Sequence, residues 1–185
     1  MAKPEPVTTM QMDVGLDTGD ILLTRETGIG PDETAVDLME RLSLIGAELL
    51  SETLDTYDKL TRQPQNHEQA TFAPIMKRAD GLINWNMKAA EIANRVRGFQ
   101  PFPTSFTYFK GQKLTVWKAG HVSGFESQVL SGGEVLEAKG DSFIVSCGEE
   151  TFLEIKELQI EGKRRVSTRD FLNGVKIQPG DHLGE

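Results

Sequence analysis

The sequence has a single cysteine, Cys147, in 185 residues. That excludes an intramolecular disulfide framework and a cysteine-rich zinc site, and it fits a reducing compartment. The three histidines, His67, His121 and His182, are scattered and have no close carboxylate constellation, so no metal is expected. No apolar run approaches bilayer length and no apolar h-region follows Met1. Neither a membrane span nor a secreted precursor is expected, and the cytoplasm is the expected compartment. The stretch Gly15–Asp20 lacks the lysine that a phosphate-binding loop needs. There is no internal repeat and no low-complexity tract.

What is present reads as globular protein. Hydrophobic residues make up 38% and charged residues 26%, too apolar for a wholly disordered chain. The length suits one large domain or two small ones. The net charge of −8 is uneven. Residues 1–60 hold 4 lysines and arginines against 13 acids, a balance of −9; residues 61–185 hold 16 against 15, a balance of +1. The front reads as an acidic, solvated face. The back can present local basic clusters to a polyanion, although the overall charge argues against a generic DNA binder.

Hydrophobic periodicity gives the organisation. Val7–Met12 and Ile21–Thr24 read as short strands on either side of the loop Gly15–Asp20. A helix opens at Pro31-Asp32-Glu33, and its apolar positions from Ala35 to Leu54 recur at three- and four-residue steps. Lys59–Glu68 reads as a linker and Thr71–Trp85 as extended and irregular chain. Ala89–Val96 is a short helix that Gly98 can end. From Thr104 to Ile160 five short strands alternate with glycine turns, a pattern that suggests a small barrel. Ser167–Leu172 reads as a short helical end. Phe99, Phe102, Phe106, Tyr108 and Phe109 are read as core packing rather than a base-stacking surface. Trp85 and Trp117 are read as buried anchors and Cys147 as an inert core residue. Lys163-Arg164-Arg165 is the densest basic cluster; it is either a solvated turn or a phosphate contact.

Met10–Asp20 (MQMDVGLDTGD) resembles the active-site loop of the methionyl-tRNA formyltransferase family. The resemblance continues in order through Thr71–Pro74, Asp80–Trp85, Arg97–Pro103, Val116–Ala119 and Leu158–Arg165. The family's Asn-Pro-Trp-Pro appears here as Gln100-Pro101-Phe102-Pro103. The resemblance implies an α+β chain: residues 1–60 as the C-terminal remnant of a Rossmann-like formyltransferase domain, 61–85 as a linker, and 86–185 as a small OB-like β-barrel that contacts tRNA. It implies transfer of a formyl group from 10-formyltetrahydrofolate to methionyl initiator tRNA. Asp17 matches the family's catalytic aspartate; without the resemblance it reads as a residue satisfying loop amides, as Asp13 and Asp20 do.

The family's Asn-x-His motif is absent, since none of the three histidines has Asn two residues earlier. The chain is therefore expected to be inactive alone, either as a truncated product or start-site error or as one piece of a split enzyme whose complementing N-terminal half supplies Asn and His, and the stripe of its first helix is expected to be partly exposed or covered by a partner. Candidate tRNA contacts are Arg97, Lys110, Lys113, Lys118, Lys163, Arg164 and Arg165. The competing readings are a tRNA- or RNA-binding OB-like module without catalysis, and another folate-dependent formyltransferase.

Overall fold

The computed structural model describes residues 5–125 and 131–184. The chain divides into two compact units, Met1–Ile75 and Met76–Glu185. Residues 61–85, read as a linker, are shared between them. Gln63 exchanges two backbone hydrogen bonds with Ile21 in the smaller unit (2.8 and 2.9 Å), while Ile83 and Trp85 are buried in the core of the larger one. A polar, proline-containing sequence lacks strand periodicity, so the pairing of Gln63 and the burial of Ile83 do not show in its pattern, whereas Trp85 is the buried anchor it was read as.

In the smaller unit β1 (Glu5–Met10) and β2 (Ile21–Thr27) pair antiparallel, and the helix α1 (Ala35–Thr56) packs against them. The helix starts at Ala35 rather than at Pro31 because Thr34 is the N-cap. Its hydroxyl accepts from the Asp37 amide, and the Asp37 carboxylate accepts in return from the Thr34 amide. Only Leu49 and Thr53 of α1 are fully buried, and the Thr53 hydroxyl bonds that of Thr9 at 2.8 Å. Val36, Met39, Leu50 and Leu54 fall on another side of the helix and are 45–68% exposed. The helix thus carries two apolar sides and this unit covers one.

The larger unit opens with α2 (Ala89–Gly98) and continues through β3 (Ser105–Phe109), β4 (Gln112–Val122), β5 (Val135–Lys139), β6 (Ser142–Cys147), β7 (Thr151–Ile160), β8 (Val166–Ser167) and α3 (Thr168–Gly174). All pairings are antiparallel, in the order β3-β4-β7-β6-β5, with β8 on β7. The β3–β4 hairpin turns at Lys110-Gly111, both at positive φ (49° and 75°), where the sequence places a turn. Alternation along β6 and β7 sends Phe143, Val145, Leu153 and Ile155 inward, where they join Ile92 and Val96 of α2 and Phe171 of α3. The Phe143 and Phe171 rings stack with centroids 5.9 Å apart.

Among the described residues the end strands β3 and β5 do not pair with each other, so the sheet is not a closed barrel. Its edges are met by irregular chain. Ile83 N–H donates to Phe106 O (2.8 Å), Leu183 N–H to Gly133 O (2.8 Å), and Gly184 N–H to Tyr108 O (2.8 Å). The chain end therefore bonds both the approach to β5 and strand β3.

Trp85 fixes the entry to this unit. Its indole N–H donates to Thr107 Oγ1 at 3.1 Å, and the Gly148 N–H reaches the carbonyls of Trp85 and Met87, each at 2.9 Å. A Cβ at Gly148 would lie 1.9 Å from Asn86 O, so only glycine fits there. Trp117, read as a buried anchor, is half-exposed instead. It lies on β4 between the inward-facing Val116 and the exposed Lys118, and strand alternation turns it outward.

Leu153→Ala is expected to lower stability by about 2–5 kcal/mol in urea unfolding, because it opens a cavity in a fully packed core. Leu54→Ala, at an exposed position, is expected to stay within about 0.5 kcal/mol.

Candidate functional site

The Asp17 loop, residues 11–20, connects β1 to β2. Its base is closed by Gln11 N–H donating to Asp20 O at 2.9 Å. Gly19 sits so close to that base that a Cβ would lie 1.6 Å from Gln11 O. Gln65 clamps the loop from outside, donating through Nε2 to the carbonyls of Asp17 (2.9 Å) and Gly19 (2.7 Å). Asp17 lies at φ 53° with its side chain exposed, and its carboxylate has no hydrogen bond or ion pair among the described residues. Its backbone is thereby held while the charge stays available. Asp13 accepts from the Val14 amide at 2.7 Å, as expected of a loop-satisfying residue. Thr18 Oγ1 is buried and has no hydrogen-bond partner among the described residues. Met12, Val14 and Leu16 of the same loop are 83–103% exposed.

The basic candidates lie in the larger unit, and most of them gather at one end of its sheet. Lys110 is in the β3–β4 turn and Lys113 follows it on β4, and β7 ends beside them, where Glu161 N–H donates to Lys113 O at 3.0 Å. The Lys163–Arg165 turn therefore emerges next to that hairpin. It is braced from below: Trp117 Nε1 donates to Gln159 Oε1 (3.0 Å), and Gln159 Nε2 donates to Lys163 O (2.6 Å).

The charges in this group are unequal. Arg165 ion-pairs with Glu157 and lies 5.2 Å from the Trp117 ring, so its cation is compensated within the fold. Lys110 faces Asp181 at 3.6 Å. Lys113 sits 4.1 Å over the Phe106 ring. Lys113, Lys118, Lys163 and Arg164 have no ion pair among the described residues. Lys118 lies farther along β4, opposite Glu157. Arg97 is on the last turn of α2, with its guanidinium on Asn94 Oδ1 at 2.7 Å.

Sequence reasoning missed Lys176, an exposed cation that shares a cavity with Lys110. It is isolated in the sequence and has no signal there. It also missed Gln159, whose role comes only from the Trp117–Lys163 bridge. Of the aromatics, Phe106 and Phe109 are buried as read, whereas Phe102 is 50% exposed.

Among the described residues no three His, Cys, Asp or Glu side chains stand close enough to hold a metal ion, and no helix is long and apolar enough to cross a membrane. Cys147 is buried, and desolvation pushes its thiol up to about 12. An unfolded-chain thiol ionises near 8.5. The folded state therefore retains a proton that the unfolded state loses, and stability falls as pH rises from about 8.5 towards 12. Cys147 is expected to stay unreactive towards a thiol reagent at pH 8 and to react fully in urea; native-state labelling would show that the site opens.

Comparison with known proteins places these features in a family. Residues 75–176 match the model described as formyl transferase, C-terminal domain. A methionyl-tRNA formyltransferase of Geobacter metallireducens is 44% identical over 180 residues, covering 96% of this chain and 56% of the relative. The chain thus spans little more than half the length of such curated relatives. Two solved structures share its fold. An N-formyltransferase of Helicobacter canadensis, in complex with folinic acid and dTDP-3-aminofucose, has a TM-score of 0.63 at 18% identity, over 82% of this chain and 55% of that one. The methionyl-tRNA formyltransferase of Clostridium thermocellum has a TM-score of 0.52 at 22% identity, over 64% of this chain and 51% of that one. The family match begins one residue before the larger unit and covers more than half of all residues, so the chain belongs to the formyl transferases through this C-terminal domain.

Proposed function

We propose that this chain is the C-terminal part of a cytoplasmic methionyl-tRNA formyltransferase. On this reading the larger unit, OB-like in its succession of short antiparallel strands, contacts methionyl initiator tRNA, and the Asp17 loop contributes to the formyl-transfer site. The observation that carries the reading is the 44% identity to a methionyl-tRNA formyltransferase over 96% of the chain, which spans both units.

In the reaction the neutral methionyl amine attacks the formyl carbon of 10-formyltetrahydrofolate. The new C–N bond forms as the formyl oxygen gathers negative charge. Collapse breaks the bond to N10 of the folate, and the proton lost by the amine ends on that nitrogen. The site must supply donors to the oxygen and a route for the proton. Asp17 is the acceptor in that route: held by its backbone and carrying an uncommitted carboxylate, it orients an imidazole and stabilises its cationic form.

The imidazole and the oxyanion donors come from an Asn-x-His segment, which these 185 residues do not contain. The uncovered side of α1 and the exposed Met12, Val14 and Leu16 are the surface on which the remainder of the formyltransferase domain packs. The candidate tRNA contacts are Lys110, Lys113, Lys118, Lys163 and Arg164, with Arg97 and Arg165 at their margin.

A second reading, an RNA-binding module without catalysis, is favoured by one observation: the larger unit buries its own core and carries unpaired cations at one end.

The chain alone is expected to transfer no formyl group. Mixed with the N-terminal half of a relative, it is expected to regain transfer, and Asp17→Asn in that mixture should lower the rate about 10²–10⁴-fold while tRNA binding is unchanged. Full transfer by Asp17→Asn would remove its assigned role; tRNA binding with no transfer in any mixture would leave the binding module.

A further inference from the structure

Between the β7–β8 turn and α3 lies a hollow of about 170 Å³. Its floor is apolar: Ile160, Val166 and Val175 are half-exposed there around the buried Phe171. Lys163 and Arg164 line its rim and have no ion pair among the described residues. Asp170 also lines the hollow. Its carboxylate accepts from the Ser167 hydroxyl at 3.0 Å, and no ion pair to either cation is formed. The rim is also held in place, because Gln159 bonds the Lys163 carbonyl and is itself held by the Trp117 indole.

A small apolar floor beside two exposed cations that make no ion pair among the described residues is complementary to a group that is flat and apolar on one part and anionic on the next. A duplex offers its phosphates to such a rim but leaves the floor empty. A single-stranded nucleotide fills both, its ring on the aliphatic side chains and its phosphates on the cations. We propose that this hollow is a subsite for one unpaired nucleotide of the bound RNA, with Lys163 and Arg164 contacting its flanking phosphates and Val166 and Val175 contacting its base. The inference rests on the RNA-binding reading given above and adds the form of RNA recognised. It also separates the basic cluster by role: Lys163 and Arg164 meet the ligand, while Arg165 closes the turn onto Glu157 and Trp117.

The test uses the full 185-residue chain and a short oligouridylate carrying 4-thiouridine. Photocrosslinking followed by peptide mapping is expected to place the adduct within residues 160–175. Gly174 lines the hollow, and a Cβ built on it meets nothing within 4 Å. Gly174→Leu is therefore expected to weaken oligouridylate binding at least about tenfold without shifting the unfolding midpoint, while binding of an equally long RNA duplex changes little. Adducts only at other positions, or undiminished binding by Gly174→Leu, would overturn the subsite. Methionyl initiator tRNA measured alongside separates the two levels. If it binds while the oligouridylate results fail, the subsite alone is lost; if it does not bind at low salt, the RNA-binding reading falls as well.

Discussion

An antiparallel sheet that does not close on itself leaves two rows of backbone donors and acceptors, and the larger unit is organised around meeting them. Strand β3 receives Ile83 from the entry segment, and the approach to β5 receives Leu183 from the chain end. The following residue, Gly184, donates to Tyr108 on β3, so one short segment reaches both sides of the opening. These bonds hold the entry segment beside the sheet, where Trp85 reaches Thr107 and where Gly148 touches the carbonyls of Trp85 and Met87. The core of Phe143, Leu153, Ile155 and Phe171 is enclosed within that frame.

The same frame sets the electrostatics. The β3–β4 turn, the end of β7 and the segment after α3 meet at one end of the sheet, and each brings at least one cation there. Counting lysines and arginines would overstate the charge available to a polyanion. Arg165 is matched by Glu157, and Lys110 is near Asp181. Lys113, Lys163, Arg164 and Lys176 remain unpaired among the described residues at this end, which is why the patch is compact and directional despite the net negative charge of the chain.

The smaller unit has a different physical status. Two strands and one helix bury Leu22, Leu49 and Thr53, and several larger apolar groups stay in solvent. Its polar bonds are nevertheless well made: the Thr34–Asp37 cap, the Arg25 pairs with Glu48 and Glu52, and the Gln65 clamp on the loop. Local hydrogen bonding shapes the loop around Asp17, whereas the apolar side of α1 still presents surface that one more packed layer would cover.

Much of this was legible in the residues. Three- and four-residue spacing marked α1, a glycine stop marked the end of α2, glycine turns marked the hairpins, and the collinear motifs indicated the family. The order β3-β4-β7-β6-β5 was not legible, because strand periodicity says which face is buried and not which strand lies alongside. The same limit hid the anchorage of Ile83, the outward turn of Trp117 and the gathering of Lys176 with Lys110, although Trp85 was legible as a buried anchor. The sequence by itself determined the elements, the Asp17 loop and the reserve of basic residues, since these follow from local spacing and side-chain chemistry. Only the tertiary structure decided which cations stay unpaired and where a ligand finds both charge and an apolar floor. Those properties depend on distances between residues far apart in the chain.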